Sequence, residues 1–316
     1  MSRSNQRTAY GRALVELGKQ NPNIVVLDAD LCKSTQSVLF EHAFPDRFFE
    51  MGIKEQDMVS TAAGLAASGK IAFASSFAVF ISGRSYDQIR QTVSIGKLNV
   101  KMCGSSAGLS DFGDGSTHQS VDDMAIMSAI PNMVVLTPAD ANETKAAVMA
   151  AAAHDGPVYI RVCRNDVLDV TPEAQPFTIG KLHILREGTD VAIFAMGTMI
   201  ERALQAADTL AQEGISTKII NVSTMKPFDY AGAASLCAGC KAVLTAEEAN
   251  FIGGLAAAVA TALRKSTIPM DYVAIEDTFG QSAHSAEELM DFYGLTAENI
   301  VNKLKAMLLK KEGERI

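Results

Sequence analysis

Apolar and polar residues along the chain fall into two alternating series. Residues 8–19 carry apolar side chains at helical spacing and stop at Asn21-Pro22-Asn23, after which 24–27 is an unbroken apolar run. A short continuous run between turn formers predicts a parallel strand buried on both faces. The same pattern predicts a strand-like segment at 47–50 and strands at 71–74, 100–104, 133–136 and 157–162, separated by helical stretches such as 142–153. Past 165 the chain turns rich in Pro, Asp and turn formers, and a second series follows. It comprises strands at 191–197, 217–222, 241–245 and 272–275, with helices at 199–212, after Gly253-Gly254 and at 298–310. Alternating strands and helices predict α/β architecture. The expected layout is two consecutive parallel-sheet α/β domains, 1–170 and 189–316, joined by a linker at 171–188.

Composition narrows the function classes. A hydrophobic fraction of 48% over 316 residues supports full cores, and the net charge is −8 without any basic run. That charge argues against a nucleic-acid or anionic-membrane surface. No apolar stretch reaches the roughly 18 residues that cross a bilayer, and residues 1–6 lack the apolar centre of a signal peptide. A cytoplasmic protein is expected. The five cysteines are widely spaced, and Cys237 and Cys240 form a CxxC with no nearby partner pair for zinc, so structural thiols are expected.

Candidate chemistry clusters at strand ends, where open α/β sheets bind ligands. Asp30 and Ser34 follow the 24–27 run, as ligand contacts or as a helix cap. Glu55 lies between a strand-like approach and a small-residue helix. It is either a helix-start glutamate stabilised by the dipole or a buried carboxylate whose pKa rises. Phe77 and Phe80 follow the 71–74 strand, as core residues or as a platform for a flat ring. The Gly/Ser-rich stretch 105–119 is long for an idle connection and holds Asp114 and His118.

Six motifs occur together in the order found in transketolases. They are Gly52-Ile53-Lys54-Glu55-Gln56, Ala29-Asp30-Leu31 with Ser34, Ser76-Phe77-Ala78-Val79-Phe80, Asp114-Gly115-Ser116-Thr117-His118-Gln119, Asn132 with Pro138-Ala139-Asp140, and the 247–255 stretch from Glu247 to Leu255. The chain resembles the C-terminal half of a transketolase, its pyrimidine-binding and C-terminal domains, over nearly its whole length. The resemblance implies thiamine diphosphate as cofactor, with Glu55 bonded to the aminopyrimidine N1′ to promote loss of the C2 proton. It further implies that Phe77 and Phe80 pack on the pyrimidine and that Asp30 lies near the cofactor. Asp114 and His118 are expected on sugar hydroxyls, and Arg7, Arg164 and Ser34 on a sugar phosphate, an anion that guanidinium forks suit. Gly113-Asp114-Gly115 followed by Asn142 imitates the metal and diphosphate fingerprint of thiamine enzymes. Its context is wrong, however, because 109–112 is loop-like and Asn142 opens a helix.

The diphosphate and Mg²⁺ ligands are therefore expected on a partner, the N-terminal transketolase subunit, in an α2β2 assembly. Two departures from the family pattern concern the donor sugar. Ser105 or Ser106 stands where a histidine is expected, and a third aromatic falls on or near Gly83. The alternatives are the β subunit of a 2-oxoacid dehydrogenase and a non-catalytic assembly subunit.

Overall fold

A computed structural model describes residues 2–313 of the protein. The first sheet has seven strands, in the spatial order Thr224–Lys226, Val134–Leu136, Val158–Arg161, Val100–Ser105, Ile71–Phe77, Ile24–Asp28 and Phe48–Glu50. The six strands from the first half are mutually parallel. Strand Ile24–Asp28 is buried on both faces, as its unbroken apolar run requires. Val25 and Leu27 enter one core and Ile24 and Val26 the other, following the alternation of side chains along a strand.

The seventh strand departs from the sequence reading. Thr224–Lys226 comes from the second half of the chain and pairs antiparallel with Val134–Leu136 at the sheet edge. The second sheet has five strands, ordered Met270–Ile275, Ala242–Asn250, Val191–Ala195, Thr217–Asn221 and His183–Arg186. All but the last are parallel. Residues 183–186, read from the sequence as linker, form an antiparallel edge strand on Thr217–Asn221. The second sheet thus begins before residue 189. A further pair, Arg3–Asn5 with Asp166–Leu168, ties the start of the chain to the end of its first half.

The two halves share one core. Val25, Leu27 and Met102 of the first sheet belong to the same buried apolar cluster as Ala192, Phe194 and Ile220 of the second. Cys237 and Cys240 are buried in that cluster as free thiols, just past helix Tyr230–Leu236. Close packing also explains Gly104, where a Cβ would lie 2.1 Å from the Tyr159 hydroxyl oxygen. Among the described residues no helix is long and apolar enough to cross a membrane.

Candidate functional site

The site lies past the carboxyl ends of the parallel strands. Strand Ile24–Asp28 ends in a buried carboxylate that shapes the next loop. Asp28 accepts bonds from the Leu31 N–H at 2.7 Å and from the hydroxyls of Thr35 at 2.7 Å and Ser37 at 2.8 Å. Burial pushes Asp28 up to about 7, while these bonds pull the other way. The loop turns at Asp30, whose φ of 62° is left-handed, a conformation that Asp tolerates better than most residues. Glu50 fixes the turn by accepting the N–H groups of Asp30 and Gly52.

Glu55 opens helix Glu55–Ala67 and is 1% exposed. A carboxylate fits this position because the first N–H groups of a helix lack internal partners. Its charge is paired with Arg84, whose guanidinium donates to Glu55 Oε2 at 2.7 Å, a partner the sequence reading did not include. The Ser76 hydroxyl donates more weakly to Oε1, at 3.4 Å. Phe77 and Phe80 lie nearly parallel, with centroids 6.0 Å apart. His118 stands edge-on to both rings, 5.2 Å from Phe80 and 6.2 Å from Phe77. Its Nδ1 meets the Thr117 hydroxyl at 2.9 Å.

Arg84 carries no sequence motif of its own, but it is four residues beyond Phe80 and reaches back over that ring at 4.7 Å. This spacing on a helical turn is the signal that could have found it. Beside it, Gly83 faces open space on the side where a third aromatic was expected. Ser105, in register with Phe77, and Ser106 are both buried, and neither hydroxyl has a hydrogen-bond partner among the described residues. Those two orphaned groups stand at the place of the expected histidine.

A second cluster forms between the start of the chain and the end of the first sheet. Arg7 donates to the Ser34 carbonyl at 2.9 Å, and its buried Nε has no partner among the described residues. Burial and the neighbouring Arg164 charge lower the pKa of Arg7. Arg164 is paired with Asp111 at 2.7 Å, a contact the sequence reading did not include. Asp114, exposed, lies on the loop that runs from Asp111 to His118 and so joins the two clusters. Glu55, Phe77, Phe80 and His118 come together in one cluster, and Arg7, Ser34 and Arg164 in the other. No hydrogen bond or ring contact among the described residues joins the Asp30 side chain to either.

The second domain braces this loop. Glu248 accepts the Leu109 N–H at 2.7 Å and the Thr198 hydroxyl, and Gly108 passes so close that a Cβ would lie 2.4 Å from Glu248 Oε1. Farther along, Gln119 donates to the Gln281 carbonyl at 3.0 Å, and the Ala283 N–H donates to the Phe112 carbonyl at 2.9 Å. Underneath, Arg161 bonds both oxygens of Asp123 and the backbone carbonyls of Ser120 and Glu248. A site loop held by so many fixed partners is preorganised for binding.

The residues suit the pyrimidine half of a thiamine cofactor. They offer a buried carboxylate beside a pair of stacked rings, which matches a flat heterocycle whose protonated ring nitrogen donates to that carboxylate. Among the described residues no group of three His, Cys, Asp or Glu side chains is placed to hold a metal ion.

Two mainly parallel α/β sheets in series, with an acid and an aromatic pair at the strand ends of the first, define a two-domain α/β protein. The comparisons with known proteins give the class its family. The family model "Transketolase, pyrimidine binding domain" matches residues 3–168, and "Transketolase, C-terminal domain" matches 180–300. A chain of Methanocaldococcus jannaschii described as a transketolase C-terminal section is 42% identical, with 96% of each chain covered. The 6-deoxy-6-sulfo-D-fructose transketolase subunit SqwH of Clostridium sp. is also 42% identical, over 93% of this chain and 92% of its own length. Among solved structures, a split-gene transketolase described as an inactive beta4 tetramer superposes with a TM-score of 0.87 at 44% identity, covering 96% of this chain and 98% of that one. The chain belongs to the transketolase family.

Proposed function

We propose that this chain is one subunit of a thiamine diphosphate-dependent transketolase, which moves a two-carbon ketol unit from a ketose phosphate to an aldose phosphate. A partner, the N-terminal transketolase subunit, carries the diphosphate and Mg²⁺ site, in an α2β2 assembly. The observation that carries this reading is the buried Glu55 carboxylate beside the Phe77–Phe80 pair, with His118 edge-on to both rings.

The cofactor, when bound, supplies the electron sink for cleavage of the carbon–carbon bond. Glu55 would hold N1′ and control the proton there. Phe77 and Phe80 fix the plane of the pyrimidine. His118 and Asp114 are assigned to the sugar hydroxyls, where His118 can bind a hydroxyl and relay its proton, and Asp30 to the neighbourhood of the cofactor. Arg7, Arg164 and the Ser34 segment hold the anionic end of the sugar.

The test is Glu55→Gln in the reconstituted complex. Exchange of the cofactor C2 proton, followed by NMR, should slow by at least about a hundredfold, the lower range for removal of a general acid–base group, while cofactor still binds. Normal exchange would refute the assigned role. The isolated chain should transfer no ketol unit, and activity without a partner would overturn the split-enzyme reading.

A further inference from the structure

The Glu55 carboxylate is sealed by its neighbours. Its side chain is 1% exposed, with the Ser76 hydroxyl 3.4 Å from Oε1 and the Arg84 guanidinium 2.7 Å from Oε2. A covering group has to move before any ligand can bond this carboxylate. Ser76 is fully buried in strand Ile71–Phe77, which is paired with a parallel neighbour on each side, so it is fixed. Arg84 is not. Its side chain is 46% exposed, and its guanidinium carbon lies 4.7 Å from the centroid of the Phe80 ring. It ends the π-helical turn Phe80–Arg84, a form of backbone met mostly at functional sites. A long, half-exposed stem can swing out into water and give up an ion pair that solvent partly screens.

The guanidinium also has the chemistry of the group that would replace it. It is planar, cationic and an N–H donor, set against an aromatic ring and a carboxylate. A protonated aminopyrimidine offers the same three properties to the same two partners. From this we infer that Arg84 is a gate on Glu55, holding the place of the cofactor's pyrimidine and swinging aside as N1′ binds. Opening the pair lowers the apparent affinity for cofactor, and a variant without the pair keeps the full affinity. The inference rests on the proposed thiamine reading and deepens it. Arg84 acts through Glu55 and is a positioning residue.

The experiment titrates thiamine diphosphate, with Mg²⁺ present, into the reconstituted complex by calorimetry. Arg84→Met, which keeps an apolar stem beside Phe80, should tighten Kd about tenfold, within the usual range for two linked equilibria. Arg84→Lys can still pair with Glu55 and should stay within about threefold of wild type. Removing a merely structural residue would not produce a gain in affinity. In a Glu55→Gln background, Arg84→Met should change Kd by less than about twofold, because no ion pair is left to open. Unchanged or weaker binding by Arg84→Met would overturn the inference, as would an equal gain in the Glu55→Gln background. A second readout needs no cofactor. Carbodiimide coupling of glycine ethyl ester to Glu55 in the full chain, followed by peptide mass spectrometry, reports how often the carboxylate is uncovered. Arg84→Met should speed that coupling about tenfold, in proportion to the open population, and equal rates would overturn the inference. If coupling follows Arg84 while no form of the complex binds thiamine diphosphate, the thiamine reading is the one that fails and the gate stands.

Discussion

Replacing Arg161 with Met should damage both the stability of the protein and the order of its site loop. Arg161 is 7% exposed and Asp123 fully buried, with Nε 2.9 Å from Asp123 Oδ2. Burial works against the Arg161 charge, but Asp123 and the nearby Glu248 outweigh it and hold the guanidinium above its ordinary pKa. Arg161→Met leaves the Asp123 carboxylate with only the Tyr159 hydroxyl, 2.9 Å away. Removing one partner of a buried pair costs about 3–5 kcal/mol. The freed carbonyls of Ser120 and Glu248 place the result in the upper half of that range. At about 2 °C per kcal/mol for a chain this long, the melting midpoint should fall by about 8–10 °C. Calorimetry or urea denaturation measures it. The double variant Asp123→Asn with Arg161→Met removes the stranded charge and should recover to within about 2 kcal/mol of wild type. Amide exchange between Gly108 and Ser120, which pair as an antiparallel bridge, should accelerate in the single variant and largely recover in the double. A single variant within about 1 kcal/mol of wild type, or a double less stable than the single, would show that the buried pair does not contribute in this way.

Two other outcomes follow from the buried charges. Arg84→Ala strands Glu55, yet Arg84 is itself 46% exposed, so the loss should be about 1–2 kcal/mol rather than the full cost of a buried pair. Adding Glu55→Gln to it should restore most of that stability, and an additive double variant in a denaturation cycle would argue against direct coupling. Glu247 is pushed up to about 7 by burial, against the bonds it accepts from Ala256 and Leu255. A folded pKa above the unfolded one gives a contribution that is complete below about pH 4 and is lost as pH rises through about 7. Glu247→Gln should flatten the stability curve between pH 5 and 6.5 by up to about 1.4 kcal/mol per pH unit. Parallel urea-midpoint curves for the two proteins would exclude that linkage.

Period and burial in the sequence were enough to reveal most strands, because parallel strands covered on both faces read as unbroken apolar runs. The 24–27 and 71–74 runs fall within strands, and the 191–197 run covers strand Val191–Ala195 and runs two residues past it. Short edge strands lack that signature. Thr224–Lys226 has only three residues, two of them polar, and His183–Arg186 is only partly buried, so neither stands out by hydropathy. At the site, residues in ordered motifs were legible one by one, while the pairs between them were not. Arg84 reaches Glu55 across 29 positions and Arg164 reaches Asp111 across 53. Such long-range partners depend on how strands are ordered in the sheet, which local spacing does not encode. The brace from Gln281 and Ala283 is hidden for the same reason, being made by backbone groups that leave no residue-type signal.

The borrowed strand at the edge of the first sheet also limits how the gene can be divided. A chain ended near residue 170 would lose Thr224–Lys226 and bare the edge of Val134–Leu136, a fully buried apolar strand. Its unpaired N–H and C=O groups would then recruit any passing strand. The natural joint for recombining this protein with other modules therefore lies outside residues 3–226, even though the family boundary is drawn through the middle of that span.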